Sequence, residues 1–249
     1  MKAGRHRKRN RTGTIIVLAA ITVAMVAGTI AVACLSRNQE PEPPKRNPTT
    51  AKAEPAPDPE QEHEQEPEAT AFTWPTDLTW ERVAGIDLPA SKEHGPRNRN
   101  LGRSAAFAQS PPGAVLAALH LIVRTSYQAG PAVWEPTLRD QVVGPDAVAY
   151  AEEVRADHRA ALRRGDKADR IYAAIAGIRL DSYRPEAASM RVLIEAPTGT
   201  GTARAAALVQ VAWSDNDWRL VAPPHGDWST VRTPVPADAV SDYIPLPAR

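Results

Sequence analysis

The sequence predicts an α+β domain, two helices packed on a curved four-stranded antiparallel meander, held outside the cytoplasm by one membrane helix and a disordered linker. Three observations lead there. Thr14 to Leu35 is a run of 22 residues without a charge, directly behind the basic residues Lys2, Arg5, Arg7, Lys8, Arg9 and Arg11. Ser36 to about Thr73 is rich in proline and glutamate and has no large apolar residue before Phe72. Beyond it, helical periodicity gives way after Asp169 to apolar alternation with a period of two.

About 20 apolar residues at 1.5 Å rise match the roughly 30 Å of bilayer hydrocarbon. Only a helix satisfies its own backbone there, and basic flanks stay on the cytoplasmic side. The expected topology is therefore a cytoplasmic end (residues 1–13), a single span (14–35) and an extracytoplasmic remainder, placing the protein in the cell membrane. A cleaved signal peptide shares the basic start, although its apolar region is usually only about 7–15 residues. Ala31-Val32-Ala33-Cys34 resembles a lipobox around the only cysteine, with Ala31 where leucine is usual. All three readings put the bulk of the chain outside the cytoplasm. One cysteine allows no internal disulfide, so stability there has to come from packing.

The net charge of +1 conceals a division. The first 13 residues carry +6, residues 36–79 carry −6 and the remainder +1. Such a balance excludes bulk electrostatic attraction of nucleic acid to the outer part. Anionic lipid accounts for the basic end. In the linker, Pro41, Pro43, Pro44, Pro48, Pro55, Pro57, Pro59 and Pro67 break helix and ladder alike, and acidic residues recur from Asp58 to Glu68. A segment like this cannot bury enough surface to offset its ordering entropy and reads as a semi-stiff stalk (36–79). Residues 80–249 suffice for one domain with a core.

Within the domain, Thr79 to Leu88 reads as a short strand ending at Pro89, and Ala90 to Gln109 as an irregular loop. Ser110-Pro111-Pro112 starts a helix, a capping serine followed by proline where its missing N–H costs nothing. From Gly113 to about Ser126 that helix is apolar nearly all round, hence buried on most sides. Trp134 to Val143 reads as a short helix closed by Gly144-Pro145. Asp146 then caps a second long helix, to about Arg164, with the stripe Ala147, Ala151, Val154, His158 and Leu162; Gly165 ends it.

Ile171, Ala173 and Ile175 alternate, then Ile178 and Leu180 continue one residue out of step. Gly177 at the slip marks a β-bulge, which bends a sheet. Met190, Val192 and Ile194 form a second strand, and Pro197 to Gly201 a turn. Ala205, Ala207, Val209, Val211 and Trp213 face inward on a third. Ser214 to Asp217 turns into a fourth, with Trp218, Leu220 and Ala222. Short turns between consecutive strands imply an antiparallel meander. From Pro223 the chain reads as irregular.

This order of elements resembles the cone-shaped nuclear-transport-factor-2-like (cystatin-like) fold. A basic end, one span, a stalk and a helix-then-meander domain also resemble the VirB-type inner-membrane scaffold proteins of conjugation and type IV secretion and their Gram-positive counterparts. Trp80 to Pro89, His94-Gly95-Pro96 and Ser110-Pro111-Pro112-Gly113-Ala114 resemble an uncharacterised actinobacterial family of small membrane proteins found near mobile elements, over roughly residues 80–225. No catalytic pattern comes with the resemblance. It implies a non-enzymatic scaffold whose domain docks other membrane subunits of a transfer complex. The bilayer and a second copy of the chain are the other candidate partners.

The residues suggest no cofactor, no metal and no catalytic set. His63, His94, His120, His158 and His225 lack paired metal-ligand spacing. His120 and His158, in apolar helical settings, read as satisfied core histidines, and His63 lies in the acidic linker. His94 and His225 lie in loops, where functional groups concentrate. His225 with Asp227 would make a general-base pair, although glycine neighbours more often mark turns. Tyr172, Trp213 and Trp218 would line a pocket if the cone enclosed one; aromatics on inward strand faces are more often core. Gly199-Thr200-Gly201 is no phosphate loop, and Cys34 no nucleophile. Two other functions stay open, an extracytoplasmic small-ligand sensor and an enzyme of the cone fold.

Overall fold

The computed structural model describes residues 72–166, 170–171 and 173–249. The apolar run, His63, Cys34 and Tyr172 lie outside the described residues, as does the stalk up to residue 71. Phe72, upstream of Trp80, is already buried.

The first element is a hairpin, β1 (Leu78–Val83) and β2 (Ile86–Ser91), where one strand ending at Pro89 was expected. Ala84 and Gly85 make its two-residue turn, both at positive φ (48° and 82°), the twist that suits a tight hairpin. Pro89 lies inside β2 opposite Trp80. It is tolerated because this is a two-stranded sheet and no third strand asks for its N–H.

Three helices follow. In α1 (Pro111–Arg124) the Ser110 hydroxyl accepts from the Gly113 N–H at 3.2 Å and Pro111 opens the first turn, as the sequence predicts. A Cβ on Gly113 would lie 2.0 Å from the Ala108 carbonyl oxygen, so only glycine lets the loop close on the helix. α1 is buried on almost every side and lies across the main sheet. α2 (Pro131–Gln141) starts and ends earlier than expected; its last residues hand over to β3 (Val142–Val143).

In α3 (Ala147–Arg164), Gly165 caps the C-terminus in the left-handed conformation (φ 73°). Two details differ from expectation. The Asp146 side chain makes no capping hydrogen bond. The buried face is Tyr150, Val154 and Ala161, which leaves Leu162 60% exposed. Alanines on both sides of the helix blur its apolar period, and Tyr150 decides the facing.

The meander is β4 (Ala174–Arg184), β5 (Ala187–Thr198), β6 (Gly201–Ser214) and β7 (Asp217–Val221), antiparallel neighbours in sequence order. Its register slips between Ile175 and Gly177, the predicted bulge, and again between Leu180 and Ser182. The chain after Pro223 was read as irregular, yet it adds two short strands. β8 (Arg232–Pro234) pairs with β6, and β9 (Ile244–Pro245) pairs with β4 at Gly177 and Ile178. A Cβ on Gly177 would stand 2.8 Å from the Ile244 carbonyl oxygen. The glycine therefore serves the docking of β9 as well as the bulge. The order is β3-β7-β6-β5-β4-β9, with β3 parallel to β7.

The protein is thus α+β. α1 covers one face, with Leu116, Leu119, Met190, Val209, Trp218 and Leu220 fully buried. On the other face Leu193 and Ala206, cross-strand neighbours, are covered by Tyr243 of the C-terminal tail.

Candidate functional site

The loop histidines serve local structure. The Ser91 hydroxyl accepts the backbone N–H groups of Glu93 (3.1 Å) and His94 (2.9 Å), and His94 Nδ1 lies 3.0 Å from the same Ser110 hydroxyl that caps α1. His225 is solvent-exposed at positive φ (57°). Both Asp227 carboxylate oxygens face Ser229, accepting its N–H at 2.7 Å and its hydroxyl at 2.5 Å. Those bonds hold the Asp227 carboxyl below the ordinary carboxylate range. No hydrogen bond joins His225 to Asp227 among the described residues, so the chain does not assemble the general-base pair that its sequence suggests.

What this segment does is grip α3. Trp228 Nε1 donates to the Tyr150 hydroxyl (2.9 Å), which donates to Thr125 Oγ1 (2.8 Å), which donates to the Leu121 carbonyl (2.8 Å). Each hydroxyl donates once and accepts once. Gly226 (φ 76°) sits so close that a Cβ would lie 2.6 Å from the Tyr150 backbone nitrogen. Replacing Gly226 by alanine is expected to cost about 2–4 kcal/mol, adding left-handed strain to overpacking. A urea titration checks this, and an unchanged midpoint would refute it.

His120 is fully buried. Its Nε2 lies 3.0 Å from the Pro89 carbonyl oxygen, which can only accept, so Nε2 carries the proton. Nδ1 then accepts from the Ser104 hydroxyl at 3.2 Å. Burial pushes the imidazole down to about 3, and the Arg124 and Arg99 charges push the same way. This is the satisfied core histidine that the sequence predicts. Around it Arg124 pairs with Glu81 and donates to the Gly102 carbonyl (2.8 Å), Arg99 pairs with Glu81 (3.0 Å), and Gln141 donates to the Ser104 carbonyl (2.7 Å). Asp217, nearly buried, accepts the backbone N–H groups of Ala106 and Phe107. These groups clamp the long loop between β2 and α1 onto the core.

Half-buried His158 packs edge-to-face on Trp134, ring centroids 5.5 Å apart. Trp218 is core; it donates to the Ala108 carbonyl and meets partly buried Trp213 edge-to-face at 5.3 Å. Among the described residues no group of three or more His, Cys, Asp or Glu side chains is placed to hold a metal ion.

The concavity best suited to binding is an open groove of about 460 Å³. Its apolar lining includes Trp80, Ile86, Ile171, Ile175, Leu246 and Pro247, and its charged rim Asp87, Arg170 and Arg249. The hairpin makes one wall, tied to the approach to β4 by the Ile171 N–H on the Ala84 carbonyl (2.8 Å). The C-terminal residues make the other. The Leu246 N–H donates to the Ala176 carbonyl (2.9 Å), and Arg249 pairs with Asp87 (3.2 Å). Trp74 Nε1 donates to the Pro245 carbonyl (2.9 Å), so both ends of the domain converge beside the groove. Among the described residues the lining holds no histidine, cysteine, serine or threonine. Its chemistry is apolar contact under a rim of mixed charge.

The domain is α+β, with a filled core and an open, largely apolar groove. The chain itself belongs to the family described as a domain of unknown function (DUF8175), whose family model matches residues 12–245. No curated protein and no solved structure matches it. No helix among the described residues is long and apolar enough to cross a membrane.

Proposed function

We propose that this chain is a single-pass membrane protein whose extracytoplasmic domain is a non-enzymatic docking module, a scaffold of a conjugation or type IV secretion-like machine. The basic residues ahead of Thr14 to Leu35 support the anchor and its orientation. The family model covers that run and the proline-rich segment together with the domain. The bulged meander with α1 across it favours the nuclear-transport-factor-2-like cone. The observation that carries the reading is the groove, with its apolar side chains and a rim of mixed charge. Such a surface suits an apolar segment of another membrane subunit.

A photo-crosslinking residue at Ile171 or Leu246 of the full chain, in its native membrane, tests this. Discrete protein adducts are expected at both positions and not at exposed Glu135 on α2. Equal labelling at all three would overturn the proposal. A second reading, a small-ligand sensor, is favoured by the groove's size, which lies within the roughly 300–1,000 Å³ of small-molecule sites. It would show as thermal stabilisation by a small molecule, with no protein adduct.

A further inference from the structure

α3 turns to solvent a row of side chains that nothing in the described domain covers. Val148, Glu152, Arg155, Arg159 and Leu162 follow one another at spacings of four and three, which keeps them on one side of a helix. All five are exposed, Val148 at 71% and Leu162 at 60%. Ala149 and Ala156, one heptad apart, leave a shallow dent among Glu152, Glu153, Arg155 and Arg159.

The charges of this row are uncommitted. Elsewhere Arg82, Arg99, Arg103, Arg124, Arg179 and Arg204 each pair with a carboxylate. Glu152, Arg155 and Arg159 make no ion pair and no side-chain hydrogen bond among the described residues. Arg155, Arg159 and Arg163 stand four apart and repel one another, an arrangement that weakens a lone helix. Glu152 and Glu153 lie N-terminal to Arg155, Arg159 and Arg163 on the helix. Reversed end for end, the row therefore sets Glu152 against Arg159.

We propose that this face binds a second copy of the chain, with the two α3 helices antiparallel about a twofold axis passing between Arg155 and Ala156. In that register Glu152 of each copy meets Arg159 of the other. Ala156, small enough to let the helices approach, lies next to the axis beside Arg155, whose long exposed side chain extends out of the seam into water. The contact is isologous, each element used twice, as closed twofold symmetry requires. An anionic bilayer would attract the arginines but repel Glu152 in the same row and Glu153 beside it. An α3 of 18 residues is about 27 Å long, which puts the contact at the small end of specific interfaces, a concentration-dependent dimer. This inference does not rest on the groove.

The test uses the full chain in detergent with Cys34 changed to serine. Ala156→Cys is expected to cross-link between copies with a short bismaleimide, and Glu135→Cys to stay uncoupled. Glu152→Arg alone and Arg159→Glu alone should each lower the cross-link at least tenfold, since each sets like charges opposite one another. Mixing the two variants should restore it, because every contact of the mixed pair again joins a carboxylate to a guanidinium. That rescue also excludes misfolding of either variant. A wild-type chain that stays monomeric, a cross-link that survives both reversals, or a mixture that fails to recover would overturn the proposal. So would loss of binding to anionic vesicles on Arg159→Glu with no cross-link at position 156, which would assign the face to lipid.

Discussion

Changing Arg124 to methionine is expected to destabilise the domain by about 3 kcal/mol. The Arg124 side chain is 5% exposed and answers two groups, the Glu81 carboxylate and the Gly102 carbonyl. Methionine keeps much of the volume and removes both donors. Breaking a buried pair costs roughly 3–5 kcal/mol because a charge is left without its partner. The low end applies here, since Glu81 is 24% exposed and keeps Arg99 at 3.0 Å. For a domain of this size the midpoint should fall by about 6–12 °C. Adding Glu81→Leu should recover part of the loss, since the charge then left unpaired, Arg99, is 44% exposed and solvated. A double variant less stable than Arg124→Met alone would show that the pair is not what matters.

The second large effect is a dependence on acid carried by His120. An unfolded chain protonates this histidine near 6.5, whereas burial lowers it to about 3 in the folded domain. Between those values the unfolded state binds a proton that the folded state refuses, so stability rises with pH. The contribution is complete above about pH 6.5 and is lost progressively as the pH falls towards 3. At about 1.36 kcal/mol per unit, the loss at pH 4.5 is roughly 2.7 kcal/mol. His120→Gln keeps a donor for the Pro89 carbonyl and removes the titration. Urea unfolding at pH 7 and pH 4.5 should show the wild type losing about 2.7 kcal/mol more than the variant. Carboxylates titrate in both proteins and cancel in the difference. Equal losses would mean that His120 is not held neutral.

Much of the frame was legible from the residues because the signals were local. Ser110-Pro111 marks the start of α1, Gly165 the end of α3, and Gly177 the bulge; each acts through backbone geometry within a few residues. The inward faces of β5, β6 and β7 followed from alternation. The hairpin was missed because Ala84-Gly85 lacks the asparagine or aspartate that usually announces such a turn, while Pro89 imitates a strand end. β8 and β9 are two or three residues long and proline-bearing; they are strands only because an edge of β6 or β4 is there to pair with. His225 and Asp227 are two apart in sequence, yet the turn between them sends one to solvent and the other to Ser229. The groove was invisible because its walls come from residues 80–87, 170–171, 173–175, 197 and 246–249, joined only by tertiary packing.

The meeting of Trp74 with Pro245 has a practical consequence. A reporter fused after Arg249 would sit close to Trp74 and crowd the groove. The exposed Pro185–Glu186 corner joins β4 to β5 at the end of β5 remote from Pro197, a groove-lining residue. A label inserted at that corner would leave the groove open.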